Sequence, residues 1–241
     1  EDWCRKEGIP LQVLRANVPE EAKKTGEGLE ACGRRVRYAF FQSLSLGEND
    51  RIATAHTRSD QAETVLLHLV QGAGARGLSG IPAKRESIIR PVLCLSREEI
   101  EEYCRENHIQ WCTDATNEEI EYTRNRIRHQ VLPLLRDMNL SIEETLERTA
   151  FSLKRDADCL EEMAQKSLEQ VRVGKGLSVK AIQALPEAVA VRVLAGYFQE
   201  QGCPRPETVH LEQALTAVQR GEEGFLFLGG LRCPSGQISY G

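Results

Sequence analysis

Apolar positions recur at helical spacing through most of the chain and alternate only in short runs. From Gly28 to Leu46, Leu29, Cys32, Val36, Ala39 and Phe40 follow a period near 3.6, and Gly47 supplies a stop. A helix beginning at Asp60 carries Ala62, Val65, Leu66, Leu69 and Val70 on one face. Asp60 and Glu63 are spaced as its capping pair, with Asp60 as the cap. Ser96 and Glu99 form a second capping box ahead of REEIEEYCREN. Helix resumes over YTRNRIRHQVLPLL (122–135), and residues 141 to about 171 predict one long helix of about 45 Å at 1.5 Å per residue. Two more helices are expected over 186–201 and 206–220.

Strand signals are shorter: LQVLRANV (11–18), RIATAH (51–56), SIIRPVL (87–93), GLSVKAI (176–182), GFLFLG (224–229) and QISY (237–240). PEEAKKTGEG (19–28) reads as a polar, flexible loop, and EDWCRKEG as the tail of an amphipathic helix whose start lies upstream. Alternating helix and strand in the first half predict an α/β fold, a parallel sheet with flanking helices, followed by a long helix and a small, mostly helical second domain. The expected divisions are a domain over 1–138, a linking helix over 139–172 and an α-rich domain over 173–241. Ligands of open α/β sheets bind at the carboxyl ends of the strands, and His56 stands at such an end.

Composition narrows the class without deciding it. At 241 residues, 41% apolar and 28% charged, the chain reads as an ordinary globular protein, with two domains as the expectation. No run approaches the roughly 18 apolar residues of a membrane span and no signal peptide is evident, so a soluble, cytoplasmic protein with no membrane partner is expected. The eight cysteines contain no C-x-x-C pair, which speaks against a zinc ribbon or a redox dithiol and for free thiols in a reducing compartment. A net charge of −5 argues against nonspecific coating of nucleic acid, so any basic face must be local.

Three stretches carry candidate chemistry. GAGARG (72–77) matches G-x-G-x-x-G but follows a helix, whereas a dinucleotide fingerprint follows a strand; Gly72 and Gly74 read as a helix stop and a turn, with Arg76 able to meet an anion. YTRNRIRHQ places Arg124 and Arg128 one helical turn apart, with Arg126 and His129 beside them. Guanidinium forks suit phosphate oxygens, while the bland alternative is a solvated face paired with Glu118, Glu119 and Glu121. Asp114 and Asn117 either cap the local turn or orient those arginines. In AHTRSDQAET, a helix cap and a ligand site compete for Asp60 and Glu63, and a lone His56 is more often structural.

Taken together these blocks resemble the tRNA(Ile)-lysidine synthases, within the N-type ATP pyrophosphatases. The similarity runs through Glu30, Arg34, Arg37 and Tyr38; His56, Asp60, Glu63 and Thr64; Arg76 and Gly77; Arg90 and Pro91; then Asp114, Asn117, Tyr122, Arg124, Asn125 and Arg128. It is close over 28–136 and looser beyond. Thr57 and Ser59 replace a histidine and an acid of the usual AHHxDDQxET. The family's SGGxDS phosphate loop does not occur in the chain; it is expected upstream of Glu1, and the chain alone is expected to be inactive without it.

The resemblance implies an adenine nucleotide alpha hydrolase-like fold and an ATP-dependent, magnesium-dependent ligase. It would join L-lysine, as co-substrate, to a cytidine of a tRNA(Ile) with a CAU anticodon. On this basis His56, Asp60 and Glu63 are the expected catalytic residues, and Arg76, Arg124 and Arg128 bind ATP phosphates. Thr64, Asp114, Asn117 and Asn125 orient substrate or site, and Arg34, Arg37 and Arg126 meet the tRNA. No metal ligand is assigned within the chain, and a homodimer is compatible with the resemblance. Two other readings stay open: a noncatalytic RNA-binding or scaffold protein on a degenerate fold, and a tRNA thiolase, which would want a cysteine pair.

Overall fold

The computed structural model describes residues 1–44, 47, 49–111, 123–174, 176–202, 208–221, 231–232 and 237–240. The chain divides into two compact units, Glu1–His56 with Pro82–Leu93, and Thr57–Ile81 with Cys94–Gly241. The first contains α1 (Asp2–Lys6), α2 (Val18–Thr25), α3 (Leu29–Ser43) and the two-residue strands β1 (Ile52–Ala53), β2 (Lys84–Arg85) and β3 (Ile88–Ile89). β1 pairs with β3 in parallel and β2 pairs with β3 antiparallel, in the order β1-β3-β2. The sheet is therefore mixed where a parallel one was expected, because β2 and β3 are joined by a tight turn in which Glu86 adopts φ 55°.

Two local expectations need correction. PEEAKKTGEG is mostly α2: the Asn17 carboxamide accepts from the Glu20 N–H at 3.3 Å, Pro19 opens the helix, and Gly26 closes it at φ 72°. LQVLRANV was expected as a strand, but residues 11–17 form no regular element and are exposed. Alternation makes a strand only where a neighbour supplies the ladder. Cys32 is fully buried, with its Sγ 3.7 Å from the Val18 carbonyl, and so seats α3 on α2. Arg90 is also buried; it donates to the Pro82 carbonyl at 2.6 Å and to the Tyr38 hydroxyl at 3.4 Å.

The second unit is built on helices. These are α4 (Arg58–Val70), α5 (Ala75–Leu78), α6 (Arg97–Glu106), α7 (Thr123–Arg126), a π-helical turn (Ile127–Val131), α8 (Leu132–Met138) and the 30-residue α9 (Ile142–Val171). Beyond them lie α10 (Val179–Gln183), α11 (Glu187–Glu200) and α12 (Thr208–Arg220). An antiparallel sheet, in the order β4-β5-β7-β6, comprises β4 (Arg172–Val173), β5 (Gly176–Ser178), β6 (Leu231–Arg232) and β7 (Gln237–Tyr240). GFLFLG lies outside the described residues. The long helix is present as the spacing predicts, and α4, α5 and α11 all pack on it. The larger core gathers Leu168 and Val171 of α9, Leu177, Ile182, and Val193, Leu194 and Tyr197 of α11.

A smaller cluster matters more for chemistry. Ala62 and Leu66 of α4 pack against Ile127 of the π turn and Leu132 of α8, with Leu67, Leu135 and Leu146 around them. These contacts bury the first two turns of α4, so the apolar face read from the sequence holds at Ala62, Val65 and Leu66. It fails at Leu69 and Val70, which are exposed. Gln61 is buried as well, and its Oε1 accepts from the Ile81 N–H at 2.5 Å. Gly80 is required there: its φ is 67°, and a Cβ would stand 2.6 Å from that same oxygen. Among the described residues no helix is long and apolar enough to cross a membrane.

Candidate active site

Helix α4 starts one turn earlier than its sequence suggests. Thr57 is the cap: its Oγ1 accepts from the Asp60 N–H at 3.4 Å. The Asp60 Oδ2 accepts in return from the Thr57 N–H at 2.8 Å and from its hydroxyl at 3.0 Å. The expected pairing of Asp60 as cap with Glu63 is thereby corrected to Thr57 with Asp60. A threonine suits this place because its hydroxyl both donates and accepts. Thr57→Ala is expected to lower stability by about 0.5–2 kcal/mol in urea unfolding, with Thr57→Ser close to the parent.

Released from capping, Glu63 is 1% exposed and receives two arginines. Arg124 donates from Nε to Oε2 at 2.9 Å; Arg128 donates from Nε to Oε1 at 2.6 Å and from Nη2 to Oε2 at 3.0 Å. Arg124 also reaches Asp60 Oδ1 from Nη2 at 3.1 Å. Two carboxylates and two guanidiniums thus form a neutral quartet on α4, α7 and the π turn. The shared face of Arg124 and Arg128 was legible from their spacing, but a partner on α4 was not. Burial of Glu63 is tolerable only because both oxygens are hydrogen-bonded to cations. Its hydrogen bond raises the Arg128 pKa above the usual value, against the opposing effect of burial, so this guanidinium stays charged. Thr64 donates to the Asp60 carbonyl at 2.8 Å, a bond within the helix.

Beside the quartet lies a cavity of about 550 Å³, walled by Asp60, Glu98, Trp111, Arg128, His129 and Arg136 among others. Hydrogen bonding at the start of α6, chiefly through its backbone, holds the Glu98 carboxyl below the ordinary value. Helix α9 braces this region. Ser59 donates to Glu143 Oε2 at 3.0 Å, and Arg136 bonds Glu143 Oε1. Arg58 donates to Glu147 at 3.2 Å and to Glu144 at 3.5 Å, and also meets the Cys94 carbonyl. Neither Ser59 nor Arg136 was marked by sequence motif as part of such a network.

Other predicted site residues lie elsewhere. Arg76 follows the C-terminal end of α4, a helix about 20 Å long at 1.5 Å per residue, and pairs at 3.3 Å with Glu161 of α9. It does not join the quartet at the other end of α4. Its loop is secured by His68, whose Nδ1 is 2.7 Å from the Gly77 carbonyl oxygen. His56 belongs to the first unit, where its Nδ1 lies 3.0 Å from Thr54 Oγ1. Arg34 and Arg37 are exposed on α3, with the Arg34 guanidinium 4.8 Å from the Tyr38 ring centre. Arg126 is exposed and Asn125 half-buried on α7. Asp114, Asn117 and Tyr122 lie outside the described residues. Among the described residues no group of three acids, histidines or cysteines is placed to hold a metal ion. With the oxygens of Asp60 and Glu63 turned to arginines and Thr57, these residues alone do not make a magnesium site.

The class of protein follows from two family matches. A PP-loop domain model matches residues 1–135, and a TilS substrate binding domain model matches residues 177–237, on either side of the long helix. The adenine nucleotide alpha hydrolase-like fold expected from the motifs therefore stands. Among similar proteins, the tRNA(Ile)-lysidine synthase of Salinispora tropica is 37% identical over 96% of this chain and 72% of its own length. That of Coxiella burnetii is 35% identical over 87% of this chain and 47% of its own, and that of Solibacter usitatus 45% identical over 71% and 40%. The chain belongs to the tRNA(Ile)-lysidine synthase family. It spans less than half the length of the Coxiella and Solibacter proteins.

Proposed function

We propose that the protein uses ATP to join free L-lysine to C2 of the wobble cytidine of an isoleucine tRNA with a CAU anticodon, changing its codon reading from AUG to AUA. The cytidine O2 attacks the α-phosphorus of ATP and pyrophosphate leaves. The ε-amine of lysine then attacks C2, AMP departs with the oxygen, and the amine gives up its proton. Such a reaction belongs to the cytoplasm, where tRNA and ATP are found. Residues 1–138 are assigned to the nucleotide chemistry and 173–241 to substrate RNA, joined by the helix of 139–172.

One observation carries this reading: the two arginines of the family's basic block converge on a buried carboxylate in the second turn of α4. Charge grows on the phosphates as pyrophosphate and AMP leave, and preorganised guanidiniums answer it without reorganisation at the moment of reaction. Glu63 serves as a positioning residue, since it is 1% exposed and both its oxygens are held by arginines. Asp60, with its side chain about a quarter exposed, is the carboxylate of the quartet offered to the lysine ammonium. Incubation with ATP, lysine and the tRNA is expected to release AMP and pyrophosphate in step with lysidine. Binding of the tRNA with no AMP release under those conditions would replace this reading by the noncatalytic one.

A further inference from the structure

The cavity beside the quartet is approached by two arrangements of the same kind. Glu63, 1% exposed, holds Arg128, and Glu143, 8% exposed, holds Arg136; both guanidiniums line the cavity. The first belongs to the quartet, whereas the second has no part in the reaction as proposed. Glu143 is secured on its other oxygen by Ser59, so the acceptor that Arg136 meets is itself fixed. Among the described residues Glu143 is the only hydrogen-bond partner of Arg136, which leaves further guanidinium donors for a ligand. The opposite character is supplied by Trp111, about half exposed, together with Ile100, Leu132 and Pro133. At about 550 Å³ the cavity falls in the range of sites that enclose a small molecule.

We propose that this cavity receives one unpaired nucleotide of the RNA substrate, its base stacked on Trp111 and its phosphate on Arg136, with Glu143 and Ser59 as positioning residues. An aromatic face and a fixed guanidinium are what proteins offer to single-stranded RNA, where unstacked bases can be splayed out. The inference rests on the RNA-modifying reading but is tested apart from catalysis. The chain has two tryptophans, so Trp3→Phe leaves Trp111 as the sole fluorophore.

An anticodon stem-loop RNA, added without ATP or lysine, is expected to quench Trp111 emission. Trp111→Ala should weaken its binding roughly tenfold at an unchanged unfolding midpoint, and Arg136→Ala should weaken it roughly tenfold with some loss of stability, since Glu143 then loses its cation. Arg136→Lys should recover part of that loss. In turnover, KM for tRNA should rise while KM for ATP and kcat stay put. The proposal is overturned if no quenching occurs, if Arg136→Ala raises KM for ATP in place of tRNA, or if Trp111→Ala, at an unchanged midpoint, binds the RNA as the parent does. Should the protein form no lysidine at all, quenching and binding still decide the matter, so the two readings fail separately.

Discussion

Glu63→Gln is expected to cost about 3–5 kcal/mol in stability and to bring AMP release to background. The carboxylate is buried and accepts hydrogen bonds from two guanidiniums, each only a quarter exposed. A carboxamide of the same shape keeps the volume but replaces one acceptor oxygen by a donor, and leaves Asp60, about a quarter exposed, as the one carboxylate of the quartet against two cations. Urea unfolding and AMP release measured on the same preparation separate the alternatives. Full stability with lost activity would mean that Glu63 touches substrate directly, and full stability with full activity would remove the quartet from the mechanism.

Arg124→Ala is expected to lower kcat by about 10²–10³-fold, the usual effect of deleting one preorganised donor to developing charge, with a smaller loss of stability than Glu63→Gln. Arg124 is bound to Asp60 as well as Glu63, through two different nitrogens of one planar group. Arg124→Lys should therefore rescue poorly, because an ammonium on a flexible stem cannot hold that forked geometry. Equal kcat in the parent and both variants would show that the basic block serves folding alone.

These two expectations bear on how much of the site was legible beforehand. The residue set was readable: Asp60, Glu63, Arg124 and Arg128 stand out by type, spacing and resemblance. Their division of labour was not. A Thr-x-x-Asp and an Asp-x-x-Glu overlap in the same seven residues, and local geometry alone does not say which pair closes the helix start. The choice went to Thr57 because Glu63 is taken up by arginines more than 60 positions away, a contact between elements that no helical period contains. Arg76 shows the converse. Its place among cations in the motif order suggested a shared phosphate seat, yet the length of α4 carries it to Glu161.

By itself the sequence determined the long helix 142–171, the capping box at Ser96, the common face of Arg124 and Arg128 and the membership of a nucleotide-using family, because each depends on spacing within one segment. The tertiary structure alone decided that Glu63 is buried, that a π turn interrupts the helix carrying Arg128, that Ser59 and Arg136 share Glu143, and that residues 11–17 form no strand. Each of these depends on what lies across from a residue. A charged side chain enters the interior, and an alternating segment becomes a strand, only when a partner from a distant part of the chain meets its charge or its backbone.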